Sequence, residues 1–216
     1  MHNANLDFAR RCGMQLHFID RQTYRNKTDV DFIDALHQRF GDFYLLPEGG
    51  SNALAVKGCA ELVAQIDIDF DIITTACGTG ATLAGLASGL PSSQQQAVGY
   101  AVLKGAGFLR DDVQRLLQDN AIPRHNWRIV TDCHFGGYGK IDNTLITFMQ
   151  DFQRDFGITL DAVYTARMFH GLLRDIAAGK FTTGCRIVAL HSGGLQGNAG
   201  FAQLRQRHLT QTVEAL

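Results

Sequence analysis

The stretch that most constrains the fold runs from Asp71 to Leu90, DIITTACGTGATLAGLASGL. Ile72-Ile-Thr-Thr75 is a β-branched run of the kind that forms a buried strand. Ala81 to Leu90 is small and apolar with strong helix formers, so it reads as a helix. Between them lie Gly78, Thr79, Gly80, Ala81 and Thr82. A glycine-rich turn from strand to helix aims unsatisfied backbone N–H groups and a positive helix end at one point, which suits a phosphate. Thr79 and Thr82 add hydroxyl donors. The same turn also serves as a plain βα connection, and this stretch alone leaves both readings open.

Strand and helix alternate through most of the 216 residues. Helices are expected at 5–11, 29–40, 53–66, 81–90, 111–118, 143–156, 165–178 and 199–207. Strands are expected at 15–19, 43–46, 72–75, 97–103, 126–130 and 186–190. This alternation predicts an α/β architecture, a mostly parallel sheet with helices on both faces. Such sheets bind ligands at the carboxyl ends of their strands. Three glycine-rich polar segments follow expected strands: PEGGSN at 47–52, ACGTGAT at 76–82, and HSGGLQGN at 191–198. That clustering favours a ligand site over ordinary turns.

The familiar phosphate motifs do not fit. A P-loop needs a lysine directly after its glycines, and the next lysine is Lys104. A dinucleotide fold places an acidic residue at the end of the following strand, where this chain has Lys104 and Gly105. A small phosphorylated ligand remains. The formal net charge of −1 gives no reason to expect nucleic acid or an anionic membrane. Five cysteines without a CxxC pair argue against a disulfide framework or a zinc ribbon and fit a cytoplasmic protein. There is no signal-peptide h-region and no apolar run of spanning length.

Five segments, in order, carry a resemblance: PEGGSN, TTACGTGATLAGL, FGGYGK (135–140), AVYTARMFHGLL (162–173) and ALHSGGLQGNAGF (189–201). Together the chain resembles the 1-aminocyclopropane-1-carboxylate deaminase / D-cysteine desulfhydrase family. These are pyridoxal 5′-phosphate (PLP) enzymes of fold type II, the three-layer tryptophan synthase β-like fold. The resemblance implies PLP as cofactor, a small amino acid as substrate, ammonia or sulfide and a keto acid as products, and a homodimer. It places Gly78, Thr79, Gly80, Ala81 and Thr82 on the phosphate cup and Ser192 against the pyridine nitrogen. A neutral hydroxyl there moderates the cofactor as an electron sink. Tyr164 falls beside the reacting carbon and Tyr138 on a second active-site tyrosine. A phenol needs a cationic neighbour to act as a base near neutral pH. Ser51, Asn52 and Thr165 are the implied substrate contacts. Thr165 replaces an acidic residue of the deaminase branch, which tilts the substrate toward D-cysteine. Ala166 and Arg167 replace a more usual Gly-Lys pair.

The resemblance also implies a division into the remainder of a small domain (1–50) and a large PLP-binding domain (51–216), with the fold's N-terminal part lacking. The family's GNK motif, whose lysine bonds PLP covalently, has no counterpart among Lys27, Lys57, Lys104, Lys140 and Lys180. The expectation is therefore a truncated chain that is inactive alone. The alternative is a non-catalytic PLP- or phosphate-binding remnant of the same fold. Other candidates read as structural: His134 and His191 as satisfied histidines, Cys77 as a small buried thiol.

Overall fold

A computed structural model describes residues 4–121 and 125–201. The chain divides into two compact units, Met1–Leu46 and Pro47–Leu216.

The first unit holds three helices, α1 (Ala4–Arg11), α2 (Arg21–Arg25) and α3 (Val30–Phe40). The sequence did not announce α2. Asp20 starts it: Oδ1 accepts from the Gln22 and Thr23 amides at 2.8 and 2.9 Å, as an N-cap should. The expected strands at 15–19 and 43–46 are absent. Alternation supplies a strand's two faces, but only a ladder partner makes a strand. Here neither segment has one, and Phe18, Tyr44 and Leu46 stay exposed. His17 instead turns its ring onto α3, hydrogen-bonded to Arg39 at 2.9 Å and tilted against the Phe40 ring at 4.8 Å.

The second unit is the α/β body that the alternation predicts. Its elements are α4 (Ala53–Ala64), β1 (Ile72–Cys77), α5 (Ala81–Gly89), β2 (Gln96–Ala101), α6 (Leu109–Asp119), β3 (Trp127–Val130), α7 (Asn143–Phe156), α8 (Thr165–Ala177) and β4 (Ile187–Ala189). The four strands are parallel in the order β3-β2-β1-β4. β1 is paired on both sides, with Thr74 abreast of Val98 in β2 and Ala189 in β4. That central place explains its continuous β-branched run.

Successive β1 side chains point to opposite faces. Ile73 packs with Val56, Leu83, Leu86, Val113 and Leu117 under α4, α5 and α6. Thr74 faces the other way, where its hydroxyl donates to Met168 Sδ of α8 at 3.7 Å. Met168 and Leu172 cover Val98 and Tyr100 there. A further cluster of Leu145, Met149 and Phe152 joins α7 to Leu160 and Ala166. The result is helix, sheet, helix in three layers. Cys77 is buried as expected, and burial pushes its thiol up to about 12. Among the described residues, no helix is long and apolar enough to cross a membrane.

The helix expected at 199–207 falls mostly outside the described residues. What is described is a 3-10 turn over Leu195–Gly200.

Candidate functional site

Two of the three glycine-rich segments leave strands, and they leave the same end of neighbouring parallel strands. β1 ends at Cys77 and runs into Gly78; β4 ends at Ala189 and runs into His191-Ser192-Gly193-Gly194. The ladder continues one step further, with the Leu190 amide donating to Thr74 O at 2.9 Å. PEGGSN follows no strand, contrary to expectation, because 43–46 has no ladder. It reaches the same corner by another route. Glu48–Gly50 form a 3-10 turn with Gly49 at φ 65°, and a Cβ on Gly49 would stand 2.9 Å from Thr79 Cγ2.

The turn between β1 and α5 is tightly specified. Gly80 caps α5 at φ 86°, a left-handed conformation that glycine adopts without penalty. A Cβ there would also stand 2.7 Å from Val113 Cγ2. The first amides of α5 have no partner within the helix and carry its positive end. Ala81 is buried, while Gly78, Thr79 and Thr82 are half-buried. Neither threonine hydroxyl forms a hydrogen bond among the described residues. Small, glycine-lined, accessible, and built from neutral N–H and O–H donors at a helix start, this turn fits a phosphate monoester.

Tyr164 borders the turn: a Cβ on Gly78 would lie 3.3 Å from its Cε1. Its Oη is 3.3 Å from Tyr138 Oη, with the rings edge to face at 6.1 Å. Burial pushes the Tyr164 phenol well above its ordinary range, and the hydrogen bond with Tyr138 adds to the rise. Tyr138, on the outer side of the pair, is exposed. The two tyrosines and the turn are thus one contiguous constellation.

Tyr164 is held by Asp161. This buried carboxylate accepts from the Val163 and Tyr164 amides through Oδ1 at 2.9 and 2.8 Å, and from the Thr165 amide through Oδ2 at 2.8 Å. It thereby occupies the free amides at the start of α8. Thr165 closes the ring: its hydroxyl accepts from the Asp161 amide at 2.8 Å and donates to Oδ2 at 2.7 Å. Thr165 is fully buried. Its hydroxyl, expected to contact substrate, is engaged here by Asp161. Asn52 is also engaged locally, Oδ1 accepting from the Ala55 amide at 2.9 Å as the N-cap of α4. Ser51 beside it is half-buried.

The β4 exit loop is fastened to the segment that bears Asp161. His191 Nδ1 accepts from the Gly193 amide at 3.2 Å, which leaves Nε2–H to donate to Thr159 O at 2.9 Å. Asn198 Nδ2 donates to Leu160 O and its Oδ1 accepts from the Ala162 amide, both at 2.9 Å. A Cβ on Gly194 would lie 3.3 Å from the Asp161 carboxylate carbon. Ser192 sits exposed in this loop. His191 is thus a satisfied structural histidine. His134 likewise accepts the Gly136 amide at 3.1 Å.

Sequence reasoning passed over Asp161 and noted Arg167 only as a departure from a Gly-Lys pair. An Asp just before a helix is a capping signal. Arg167 gave no such cue, since an arginine in an amphipathic helix ordinarily reads as surface. It is completely buried and binds carbonyls only, among them those of Gly137 and Lys140 in the loop that carries Tyr138.

No protein-family model matches the chain. Curated relatives do. A bifunctional D-cysteine desulfhydrase/1-aminocyclopropane-1-carboxylate deaminase of Arabidopsis thaliana is 29% identical over 90% of this chain and 53% of its own length. A putative 1-aminocyclopropane-1-carboxylate deaminase of Pyrococcus horikoshii is 32% identical over 71% of this chain and 50% of its own. The crystal structure of an ACC deaminase homologue superposes with a TM-score of 0.72 at 26% identity, covering 89% of this chain and 62% of that one. The chain is homologous to the 1-aminocyclopropane-1-carboxylate deaminase / D-cysteine desulfhydrase family. Its fold is accordingly that of the fold-type II enzymes, a family of PLP-dependent proteins. The chain spans about half the length of the curated relatives it matches.

Proposed function

We propose that this chain binds PLP by its phosphate at Gly78–Thr82 and belongs to a deaminase or desulfhydrase acting on a small amino acid. The observation that carries the proposal is the contact between the phosphate-type turn and the Tyr164–Tyr138 pair. When bound, PLP supplies an electron sink for a carbanion next to the substrate nitrogen.

The chain's own residues divide the remaining work. The amides opening α5 and the hydroxyls of Thr79 and Thr82 grip the phosphate. Ser192, in the neighbouring strand's exit loop, offers a neutral hydroxyl to the pyridine nitrogen. Tyr164 keeps its proton at neutral pH, because burial raises the phenol. It acts first as a hydrogen-bond donor to the reacting groups and becomes a base only beside a cation. Tyr138 steadies the Tyr164 hydroxyl and closes the outer side. Ser51 is retained as a substrate contact, with Asn52 shaping the same turn.

D-Cysteine is the preferred substrate. An acidic residue at position 165, as in the deaminase branch, would face the buried Asp161 carboxylate, which the Thr165 hydroxyl reaches at 2.7 Å. A homodimer is part of the same proposal.

The second reading is PLP binding without turnover. It is favoured by the absence of a lysine motif of the GNK type in this sequence, since that lysine supplies the covalent anchor and the proton-transfer base. We infer that the chain alone binds PLP and releases little or no sulfide. PLP titration followed by absorbance, with sulfide and keto acid assayed on D-cysteine, tests both readings. Saturable binding competed by inorganic phosphate supports the site, and robust turnover by the chain alone would overturn the second reading.

A further inference from the structure

The geometry points to Arg167 as the positioning residue that holds Tyr138 against Tyr164. This rests on the proposed site and names a part of its machinery that neither motif nor spacing assigns.

Arg167 lies three residues after Tyr164, in the first turn of α8, and has no exposed surface. Its guanidinium donates to five carbonyls. Nε reaches Ala162 O at 3.2 Å. Nη1 reaches Val102 O at 2.8 Å, His134 O at 2.8 Å and Gly137 O at 2.9 Å. Nη2 reaches Lys140 O at 2.6 Å. Three of these acceptors, at 134, 137 and 140, bracket Tyr138.

The loop needs such a hold. It contains Phe135 at φ 47° and glycines 136, 137 and 139 at φ 85°, 122° and 69°. A non-glycine residue in the left-handed region is strained and persists only where its surroundings over-determine it. The loop's own backbone bonds are few, Gly137 to His134 O at 2.9 Å and Lys140 to Gly137 O at 3.2 Å. The buried cation therefore supplies much of the loop's anchorage through charge-assisted bonds.

The arrangement also sets a common reference. Tyr164 and Arg167 belong to one helical turn, so the loop is tied to the same element that carries Tyr164. A planar fork spans acceptors on several sides, whereas an ammonium is a point donor with three hydrogens. Lysine at 167 keeps the charge and cannot bridge the same set.

The test uses the chain without cofactor, with labelled tyrosine rings, so that it does not depend on PLP binding. In the native chain, nuclear Overhauser contacts join the Tyr138 and Tyr164 rings. In Arg167→Lys these contacts disappear, and the Gly137 and Lys140 amides exchange roughly ten- to a hundred-fold faster, while amides of β1 and β2 are unchanged. Retained ring contacts and exchange rates in the variant would overturn the proposal. Should Arg167→Lys fail to fold, the native chain decides: the guanidinium protons of Arg167 exchange slowly if the clamp exists, and exchange at the solvent rate contradicts it. Where PLP binds, the same loss of affinity in Arg167→Lys, Tyr138→Phe and their combination marks action through Tyr138, and additive losses exclude it.

Discussion

Gly78 leaves room for Tyr164: a side-chain carbon at 78 would stand 3.3 Å from the tyrosine's Cε1 and 3.8 Å from its Oη. The first residue of the phosphate-type turn and the residue that caps α8 therefore share one small volume. Gly78 does not occupy the left-handed region, so Gly78→Ala tests crowding without backbone strain. The variant is expected to displace Tyr164, weaken PLP binding several-fold and leave the melting temperature within a few degrees of native. Fluorescence titration with PLP beside a thermal melt checks both.

Gly80→Ala should behave differently. Position 80 combines φ 86° with a contact of 2.7 Å to Val113 Cγ2 for any added Cβ. Left-handed strain and overpacking each cost about 1–3 kcal/mol. Denaturant unfolding should show a loss on the order of 2–4 kcal/mol, together with loss of PLP binding.

Thr165 separates a positioning role from substrate contact. Thr165→Val removes the hydroxyl between the Asp161 amide and carboxylate and strands a buried donor. The expected loss is about 1–3 kcal/mol in denaturant midpoint analysis. Thr165→Ser should restore most of it. Were Thr165 a substrate contact instead, Val would leave stability untouched and reduce only activity.

His170 predicts a pH dependence. Its ring is packed edge-on against Phe135 and Phe148, and Nδ1 is buried without a hydrogen-bond partner. Burial and then the Arg174 charge hold its pKa below the ordinary 6.5, against a weaker upward pull from Asp142. A depressed folded pKa means that the unfolded chain binds the proton first. Stability is therefore full above about pH 6.5 and falls as pH drops through 6.5 toward the folded value. His170→Phe should flatten that slope in denaturant melts between pH 7 and 5, conditions where carboxylates contribute little.

The central fold was legible because its signals were local. Ile72 to Thr75 has the composition of a buried strand, and the Gly78-Thr79-Gly80 run marks a turn before a small-residue helix. The segments at 15–19 and 43–46 misled because alternation reports two faces and says nothing of a partner. The hold of Asp161 on Thr165, four residues on, was not legible, because it depends on how the segment before α8 folds back on itself. Arg167 stayed hidden because its five acceptors are backbone carbonyls drawn from residues 102 to 162. Carbonyls carry no side-chain signature, so only the folded loop reveals the clamp.

The central claim is a phosphate grip at Gly78–Thr82, and PLP titration of the native chain against Thr79→Ala/Thr82→Ala tests it most directly. Saturable PLP binding, competed by inorganic phosphate and at least tenfold weaker in the double variant at unchanged melting temperature, is the predicted result; two lost hydroxyl bonds to a charged ligand amount to roughly that factor or more. PLP binding of equal strength in native and variant chains, or none in the folded native chain, would contradict it.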